Sequence, residues 1–134
     1  MARVLVAEDQ AENLDLMVYL LRAFGHEAQM ARDGAEAVTL TGRDRPDLVV
    51  MDLQMPVMDG YEATARIKAD PALAAIPVIA VTAYAMVGDR ERIMAAGFDG
   101  YLTKPIDPQT FVSDLEQHLA VGTRGRDQAL TPEE

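Results

Sequence analysis

Three acidic side chains stand at the ends of short apolar runs, where their type and spacing could support chemistry. Glu8 and Asp9 follow the run at residues 4–7, and Asp52 follows the run at residues 48–51. In an open parallel α/β sheet, ligands bind beyond the carboxyl ends of the strands, so these acids could meet in one crevice. Unit charges about 5 Å apart repel by roughly 3 kcal/mol at an effective dielectric constant of about 20, so such a cluster requires a cation. Oxygen ligands favour Mg²⁺, with Mn²⁺ as the alternative ion.

A hydroxyl and an ammonium group follow two further strand-like segments. Thr82 follows the apolar run at residues 78–81, and Lys104 follows the segment at residues 100–103. Carboxylates, a divalent metal, a hydroxyl and a lysine together suit phosphoryl transfer, in which catalysis is mostly positioning and charge neutralisation. The chain has no Cys, and its two His lie elsewhere in the sequence. We therefore interpret Asp52, which leaves a central strand beside the metal ligands, as a carboxylate nucleophile.

The elements that must position these residues are predicted from the spacing of apolar side chains. The runs at 4–7, 48–51 and 78–81 have the composition of strands covered on both faces, which is typical of parallel sheets. Helical spacing separates them, and two more polar segments at 27–31 and 100–103 are interpreted as edge strands. The alternation predicts five β–α units. If the strand order is 2-1-3-4-5, the first and third strands are neighbours and their acids meet.

Local signals predict where several helices begin and end. Asp33, with Glu36 three residues later, is expected to cap the second helix as in a capping box. Gly25 and Gly42 are expected to close the first and second helices. An Asp-Pro pair at 107–108 is expected to start the last helix, which runs to about residue 120.

Length and composition indicate one domain. The chain has 134 residues, 49% of them hydrophobic, and can bury roughly two-thirds of its unfolded surface. The region 1–121 is interpreted as the domain, and 122–134 as a disordered C-terminal tail. With no Cys, a disulfide or thiolate zinc site is excluded.

The charge balance bears on partners. There are 12 Lys and Arg against 22 Asp and Glu, which gives a net charge of -10. This excess repels phosphate backbones and anionic membrane surfaces, so no nucleic acid and no membrane is expected as a partner. The sequence shows neither a signal-peptide core nor a membrane span, and a cytoplasmic location is expected.

From residue 3 to about residue 120, the sequence resembles the receiver domain of two-component response regulators. The combination is specific because two acids, an aspartate, a threonine and a Lys-Pro pair occur in order. The resemblance implies an α/β, flavodoxin-like receiver fold, with a doubly wound five-stranded parallel sheet of order 2-1-3-4-5 and helices on both faces. The matching stretches are VLVAED at 4–9, PDLVVMDLQMPVMDGYEA at 46–63, IPVIAVTA at 76–83 and AGFDGYLTKPID at 96–107.

The resemblance also implies a role for each acid. Asp52 would accept a phosphoryl group from the phosphohistidine of a histidine kinase or a histidine phosphotransfer protein. Glu8, Asp9 and Asp52 would hold Mg²⁺ together with the backbone carbonyl of Gln54. Lys104 would pair with the phosphoryl oxygens.

Two residues would form the switch that the resemblance implies. Thr82 would hydrogen-bond a phosphoryl oxygen, and Tyr101 would turn inward behind it. For Tyr101, a half-buried aromatic on an edge strand is the alternative. The signal would pass to a downstream protein through the fourth helix, fifth strand and fifth helix. The peptide bond between Lys104 and Pro105 would be cis.

The function implied is a single-domain response regulator, a signalling receiver that is not a classical enzyme. In the run AVTAYAMVGDRERIMAAGFDGY at 80–101 it resembles stand-alone receivers of cell-cycle phosphorelays. A receiver segment of a hybrid sensor kinase is one alternative. An aspartyl-nucleophile phosphatase is another, but that class needs a second acid two residues after the nucleophile, where this chain has Gln54. A flavin carrier would need a Gly-rich phosphate loop after the first strand, which is absent.

Several residues are interpreted without chemistry. His26 and His118 are expected to be surface residues. Three methionines near the acids are expected to pack in the core and its loops, namely Met51, Met55 and Met58. Gly60 is expected to serve a turn and a helix start.

Overall fold

Strands and helices alternate along the chain in the computed structural model, which describes residues 1–83 and 88–119. The described elements are β1 (Arg3–Ala7), α1 (Ala11–Ala23), β2 (Glu27–Ala31), α2 (Gly34–Asp44), β3 (Leu48–Asp52), α3 (Gly60–Ala69), β4 (Val78–Thr82), α4 (Asp89–Ala95), β5 (Gly100–Thr103) and α5 (Phe111–Glu116). All five strand predictions are confirmed, and the two polar segments are indeed the edges.

The strands form one parallel sheet in the order β2-β1-β3-β4-β5, which confirms the predicted fold class. Its register brings the carboxyl ends of the strands to one edge. Ala7 pairs with Met51, and Thr82 pairs with Thr103. Residues that follow these positions therefore leave the sheet side by side.

Each face of the sheet packs against its own layer of helices. Successive side chains of a strand point to opposite faces, so Val4 and Val6 join one core while Leu5 and Ala7 join the other. The first core includes α1 and α5, and the second includes residues of α2, α3 and α4. Because both faces are covered, the central strands are apolar along their length, as the sequence shows.

The predicted boundary of the first helix is confirmed, but that of the second is wrong. Gly25, just after α1, has φ +90, the left-handed conformation that closes a helix. Gly42 instead lies inside α2, which ends at Asp44 and is capped by Arg45 with φ +47. An Arg3 side-chain N–H donates to the Asp44 carbonyl at 2.9 Å and stabilises this extra turn. The helix stops there because the next residue is a proline.

The two predicted helix-start residues, Asp33 and Asp107, both accept hydrogen bonds, but neither forms the full cap that was predicted. The Asp33 carboxylate accepts from the Glu36 N–H at 2.8 Å, as predicted, while the Glu36 side chain accepts from Arg32 rather than from the cap residue. The predicted start of the last helix at 107–108 is wrong, because Asp107 starts only a turn, in which its carboxylate accepts from Gln109 N–H at 2.9 Å, and α5 begins at Phe111 after the cap residue Thr110.

The last helix is shorter than predicted. A 3₁₀-type bond from Thr110 N–H to the Asp107 carbonyl precedes it, and α5 ends at Glu116. Phe111, Leu115 and Leu119 recur every four residues, and all three are buried. Residue 120, the domain boundary at 121 and the predicted tail at 122–134 lie outside the described residues.

The expectation that both histidines lie on the surface is wrong for His26. This residue is 4% exposed. Its Nδ1 accepts from the Ala2 N–H at 3.0 Å, so the ring proton lies on Nε2, which donates to Glu116 at 2.7 Å. The ring thus joins the start of β1 to α5. His118 is half-buried, with its ring so close to Gly100 that a Cβ there would lie 2.8 Å from Cε1.

Changing His26 to Ala is expected to lower the free energy of unfolding by about 3 kcal/mol, because it leaves a buried N–H and a partly buried carboxylate without their partner. Urea denaturation with an unchanged m-value measures this loss. The matched control is His118→Ala, which breaks no such contact within the described residues and should cost about 1 kcal/mol or less. Equal losses in the two variants would contradict a stabilising role specific to His26.

The methionine predictions are confirmed. Met51 is completely buried in β3, and Met55 and Met58 pack half-buried against the same core.

Candidate functional site

The predicted acids lie together at the carboxyl edge of the sheet. Glu8 and Asp9 follow β1, and Asp52 ends the neighbouring strand β3. One carboxylate oxygen from each lies within 4.8 Å of the others. Glu8 and Asp52 are buried, whereas Asp9 is exposed. The cluster is therefore open to solvent on the side of Asp9.

The predicted lysine reaches the same cluster. Lys104 Nζ lies 3.2 Å from Glu8 Oε1 and 3.2 Å from Asp52 Oδ2. Its backbone N–H donates to the Thr82 carbonyl at 2.8 Å, and its peptide bond to Pro105 is cis, as the resemblance implied. Burial lowers the pKa of Lys104, but the two carboxylates outweigh that effect and raise the pKa above its usual value. Lys104 is thus a permanent counter-charge for the acids.

Glu8 carries the most perturbed carboxyl group of the cluster. Burial, the hydrogen bond to Asp52 and the charge of Asp52 together raise the pKa of Glu8 to about 7. A proton on Glu8 therefore relieves part of the repulsion at neutral pH when no metal is bound. Its buried Oε1 lies 3.2 Å from the Lys104 ammonium but accepts no well-aligned hydrogen bond from the described residues, although a buried carboxylate oxygen normally does.

The residues present fit a hard divalent cation. A cavity of about 280 Å³ adjoins the cluster and is lined by Asp9, Gln10, Asp52, Gln54, Thr82, Ala83 and Lys104. The available ligands are carboxylate oxygens, among them the buried Glu8 Oε1, which has the Lys104 ammonium nearby but no well-aligned hydrogen bond, and they suit Mg²⁺. Gln54 donates its backbone N–H to Asp52 Oδ1 at 3.2 Å. That its carbonyl is a further metal ligand stays a prediction.

The two predicted switch residues occupy adjacent strands. Thr82 ends β4, is buried and lines the cavity. Tyr101 lies in the edge strand β5, paired with Ala80, and packs half-buried against the second core. This placement is compatible both with a switch and with an ordinary edge-strand aromatic, so the role of Tyr101 stays a prediction.

The loop between β3 and α3 holds Asp52 in place by close backbone contacts. The Gly60 N–H donates to the Leu53 carbonyl at 3.0 Å, and a Cβ at Gly60 would collide with the Asp52 carbonyl. Gly60 is therefore needed for close approach, in keeping with its predicted role in a turn. Val57 has φ +70 and is 82% exposed, although left-handed backbone is unfavourable for a β-branched residue. Sequence analysis did not anticipate this strained tip.

A second group of residues was also missed. Arg92 of α4 lies over the Tyr61 ring, with its guanidinium carbon 5.5 Å from the ring centroid. Tyr61 in turn packs edge-to-face on Phe98. Arg92 and Tyr61 line a groove beside the carboxylate cluster, and Phe98 supports Tyr61 from behind. No short motif links them, because they come together only when α3 and α4 pack against the same core on one face of the sheet.

Changing Lys104 to Met is expected to raise the affinity for Mg²⁺ about tenfold at pH 8, because an ammonium that competes for the same carboxylates is removed. Calorimetric titration with Mg²⁺ measures the change. Arg90→Met is the matched control, since Arg90 is an exposed cation on α4, and it should alter the affinity by less than about twofold. Weaker binding by the Lys104 variant would show that the lysine does not compete with the ion.

Comparisons with known proteins agree with this geometry. The family model described as the response regulator receiver domain matches residues 4–116. The polar-differentiation response regulator DivK of Brucella anthropi is 43% identical over 116 residues, which cover 87% of this chain and 94% of that protein.

Solved structures show the same fold. The chemotaxis response regulator CheY4 of Vibrio cholerae superimposes with a TM-score of 0.84 at 28% identity, covering 89% of this chain and 99% of that one. The receiver domain of a sensor histidine kinase from Pseudomonas aeruginosa has a TM-score of 0.80 at 36% identity, covering 87% and 95%. A magnesium ion is coordinated in the active-site cleft of that receiver.

Within residues 1–83 and 88–119, no helix combines the length and apolarity needed to cross a bilayer.

The family model spans most of the chain, and the acids, threonine and lysine of this chain lie at one edge of a sheet of order 2-1-3-4-5. This chain belongs to the family of response regulator receiver domains.

Proposed function

We propose that this protein is a single-domain response regulator that accepts a phosphoryl group on Asp52 and signals through phosphorylation-dependent binding to another protein. The donor is the phosphohistidine of a histidine kinase or of a histidine phosphotransfer protein. The observation that carries the proposal is the position of Asp52, which lies in the carboxylate cluster with the Lys104 ammonium 3.2 Å from its Oδ2.

The residues around Asp52 have complementary tasks in this reaction. An oxygen of Asp52 attacks phosphorus, the P–N bond to the donor imidazole breaks, and its electron pair leaves with the ring nitrogen. Mg²⁺, when held by Glu8, Asp9 and Asp52 with the Gln54 carbonyl, supplies charge neutralisation at the phosphoryl oxygens. Lys104 pairs with another of these oxygens. Its ammonium, 3.2 Å from Asp52 Oδ2, lies close to where negative charge accumulates.

The same group of residues can convert the new charge into a signal. A phosphoryl group adds about 1.5 to 2 negative charges and new acceptor oxygens. Thr82, buried at the end of β4, supplies a hydroxyl to one oxygen, and Tyr101 on β5 adjusts behind it. The affected surface is formed by α4, β5 and α5. A preference of a few kcal/mol between two arrangements is enough to change which one is populated.

The relatives bear on two functions, a stand-alone response regulator and a receiver segment of a hybrid kinase. The relative named DivK is called a polar-differentiation response regulator, and the match covers 94% of it. The similarity to the P. aeruginosa sensor kinase receiver supports the alternative, a receiver segment of a hybrid kinase. An aspartyl phosphatase is less well supported, because Gln54 stands where that class needs its second acid.

Intact-mass measurement after incubation with a small acyl or amido phosphate tests the proposal. We expect one added phosphoryl group in the presence of Mg²⁺ and none when the metal is chelated. The linkage should be lost in alkali, as expected for an acyl phosphate. No uptake, or an alkali-stable adduct, would contradict a phosphoaspartate. Steady release of phosphate from monoester substrates would instead favour the phosphatase.

A further inference from the structure

A groove of about 600 Å³ lies beside the phosphoacceptor cavity and has no task in the reaction described above. It is bordered by Met55 and Pro56 of the β3–α3 loop and by Ile93 of α4. Its size is within the range of small-molecule sites. The groove therefore offers an apolar wall that a small group can occupy.

The groove is continuous with the site of phosphorylation. Asp9, Gln54 and Thr82 line both this groove and the cavity that contains Asp52 and Lys104. A molecule whose phosphorus lies at Asp52 can thus place the rest of its atoms in the groove.

Arg92 supplies the positive charge of the groove. Among the described residues that line it, Arg92 is the one cationic side chain. Its guanidinium rests on the Tyr61 ring and forms no ion pair with the described residues. Tyr61 is supported by Phe98, with ring centroids 5.9 Å apart and an interplanar angle of 87°. An arginine held on an aromatic face in this way is positioned to bind an anion.

The acids of the groove are less available to oppose an anion than their number suggests. The Asp59 carboxylate accepts from the Glu62 N–H at 2.9 Å as the cap of α3. Asp9 belongs to the predicted metal ligands. Asp89 lies in the first turn of α4, where the helix dipole compensates part of its charge. Arg92 therefore stands out as the group that would favour an anion over a neutral molecule.

We propose that this groove receives the leaving group of a small phosphodonor, and that Arg92 is a specificity-determining residue that favours donors whose leaving group departs as a carboxylate. The proposal rests on the phosphoryl acceptance proposed above. With an acyl phosphate, an Asp52 oxygen forms a bond to phosphorus, and the bond between phosphorus and the acyl oxygen breaks. The electron pair of that bond leaves on the carboxylate, which needs no proton, and Arg92 stabilises the new negative charge.

The comparison of two donors tests this role. Acetyl phosphate releases acetate, an anion, whereas phosphoramidate releases ammonia, which is neutral. Arg92→Gln is expected to slow uptake from acetyl phosphate roughly three- to fivefold, the effect of one partly solvated charge contact, and to leave uptake from phosphoramidate unchanged. Arg92→Lys should recover part of the lost rate. Rates are measured by intact mass at saturating Mg²⁺ and low salt.

The matched control is Arg90→Gln, which removes the same charge from the same helix at an exposed position that does not line the groove. Its ratio of the two rates should equal that of the unaltered protein. Equal slowing with both donors, no slowing with either, or the same change in the Arg90 variant would overturn the role of Arg92. If the unaltered protein takes up phosphoryl from neither donor, phosphoryl acceptance itself fails, and this outcome is distinct from a change in the donor ratio.

Discussion

Replacing Asp52 by Asn is expected to abolish covalent phosphoryl uptake from every donor. The amide is neutral and cannot form an acyl phosphate, so the step has no nucleophile. The fold should persist, because Asn retains the side-chain oxygen that accepts the Gln54 N–H and removes one of two buried carboxylates. Intact mass in the presence of Mg²⁺ and acetyl phosphate measures the loss, and circular dichroism verifies the fold.

Asp59→Asn is the matched control for that change. Asp59 is an acid in the same loop, but its carboxylate caps α3 and lies outside the metal cluster. Asn is also a good cap, so the variant should lose less than about 1 kcal/mol of stability and retain uptake. If Asp52→Asn were labelled as fully as the unaltered protein, the phosphoryl group would be elsewhere and the proposed nucleophile would be wrong.

The affinity for Mg²⁺ is expected to rise about tenfold between pH 6 and pH 8 and then to level off. A carboxylate must lose its proton before it binds metal, and burial with the influence of Asp52 raises the pKa of Glu8 to about 7. Glu8→Gln should remove this pH dependence. It should also weaken binding at pH 8 about a hundredfold, because a charged ligand is replaced by a neutral one. Calorimetric titrations at pH 6, 7 and 8 measure both effects.

Stability of the metal-free protein provides an independent measurement of the same proton. The folded state keeps a proton on Glu8 between the usual pKa of 4.5 and about 7, whereas the unfolded state has lost it. Because the folded state binds more protons there, this group's contribution to stability falls as pH rises through that range. Glu8→Gln should flatten that part of the pH profile. A parallel profile in both proteins would mean that another group holds the proton.

Much of the fold follows from residue patterns because each strand is marked by its own composition. Three fully apolar runs predict central strands, and the acids at their ends predict the edge at which ligands gather. The convergence of Glu8, Asp9 and Asp52 then depends only on β1 and β3 being neighbours, which the structure shows. The predictable part of the site is thus the part fixed by strand order.

The features that escaped prediction depend on contacts between distant segments. Gly42 was expected to end a helix, but the helix continues to Asp44, whose carbonyl accepts from the side chain of Arg3 in β1. His26 looked exposed because its partners are a backbone N–H of residue 2 and a glutamate 90 residues later. Arg92 meets Tyr61 only through the packing of two helices. Spacing along the chain carries no record of such pairings.

The position of the buried His26 side chain also indicates where a label or tether can be attached to the protein. It joins residues 2, 26 and 116 near the amino end of β1, whereas Asp52, the proposed phosphoacceptor, lies at the carboxyl end of β3. A dye, surface tether or fusion partner joined ahead of residue 1 would therefore lie at the amino edge of the sheet. The carboxylate cluster at the opposite edge would stay accessible to other proteins. Protein immobilised through such a tether should expose the carboxyl edge of the sheet to solvent.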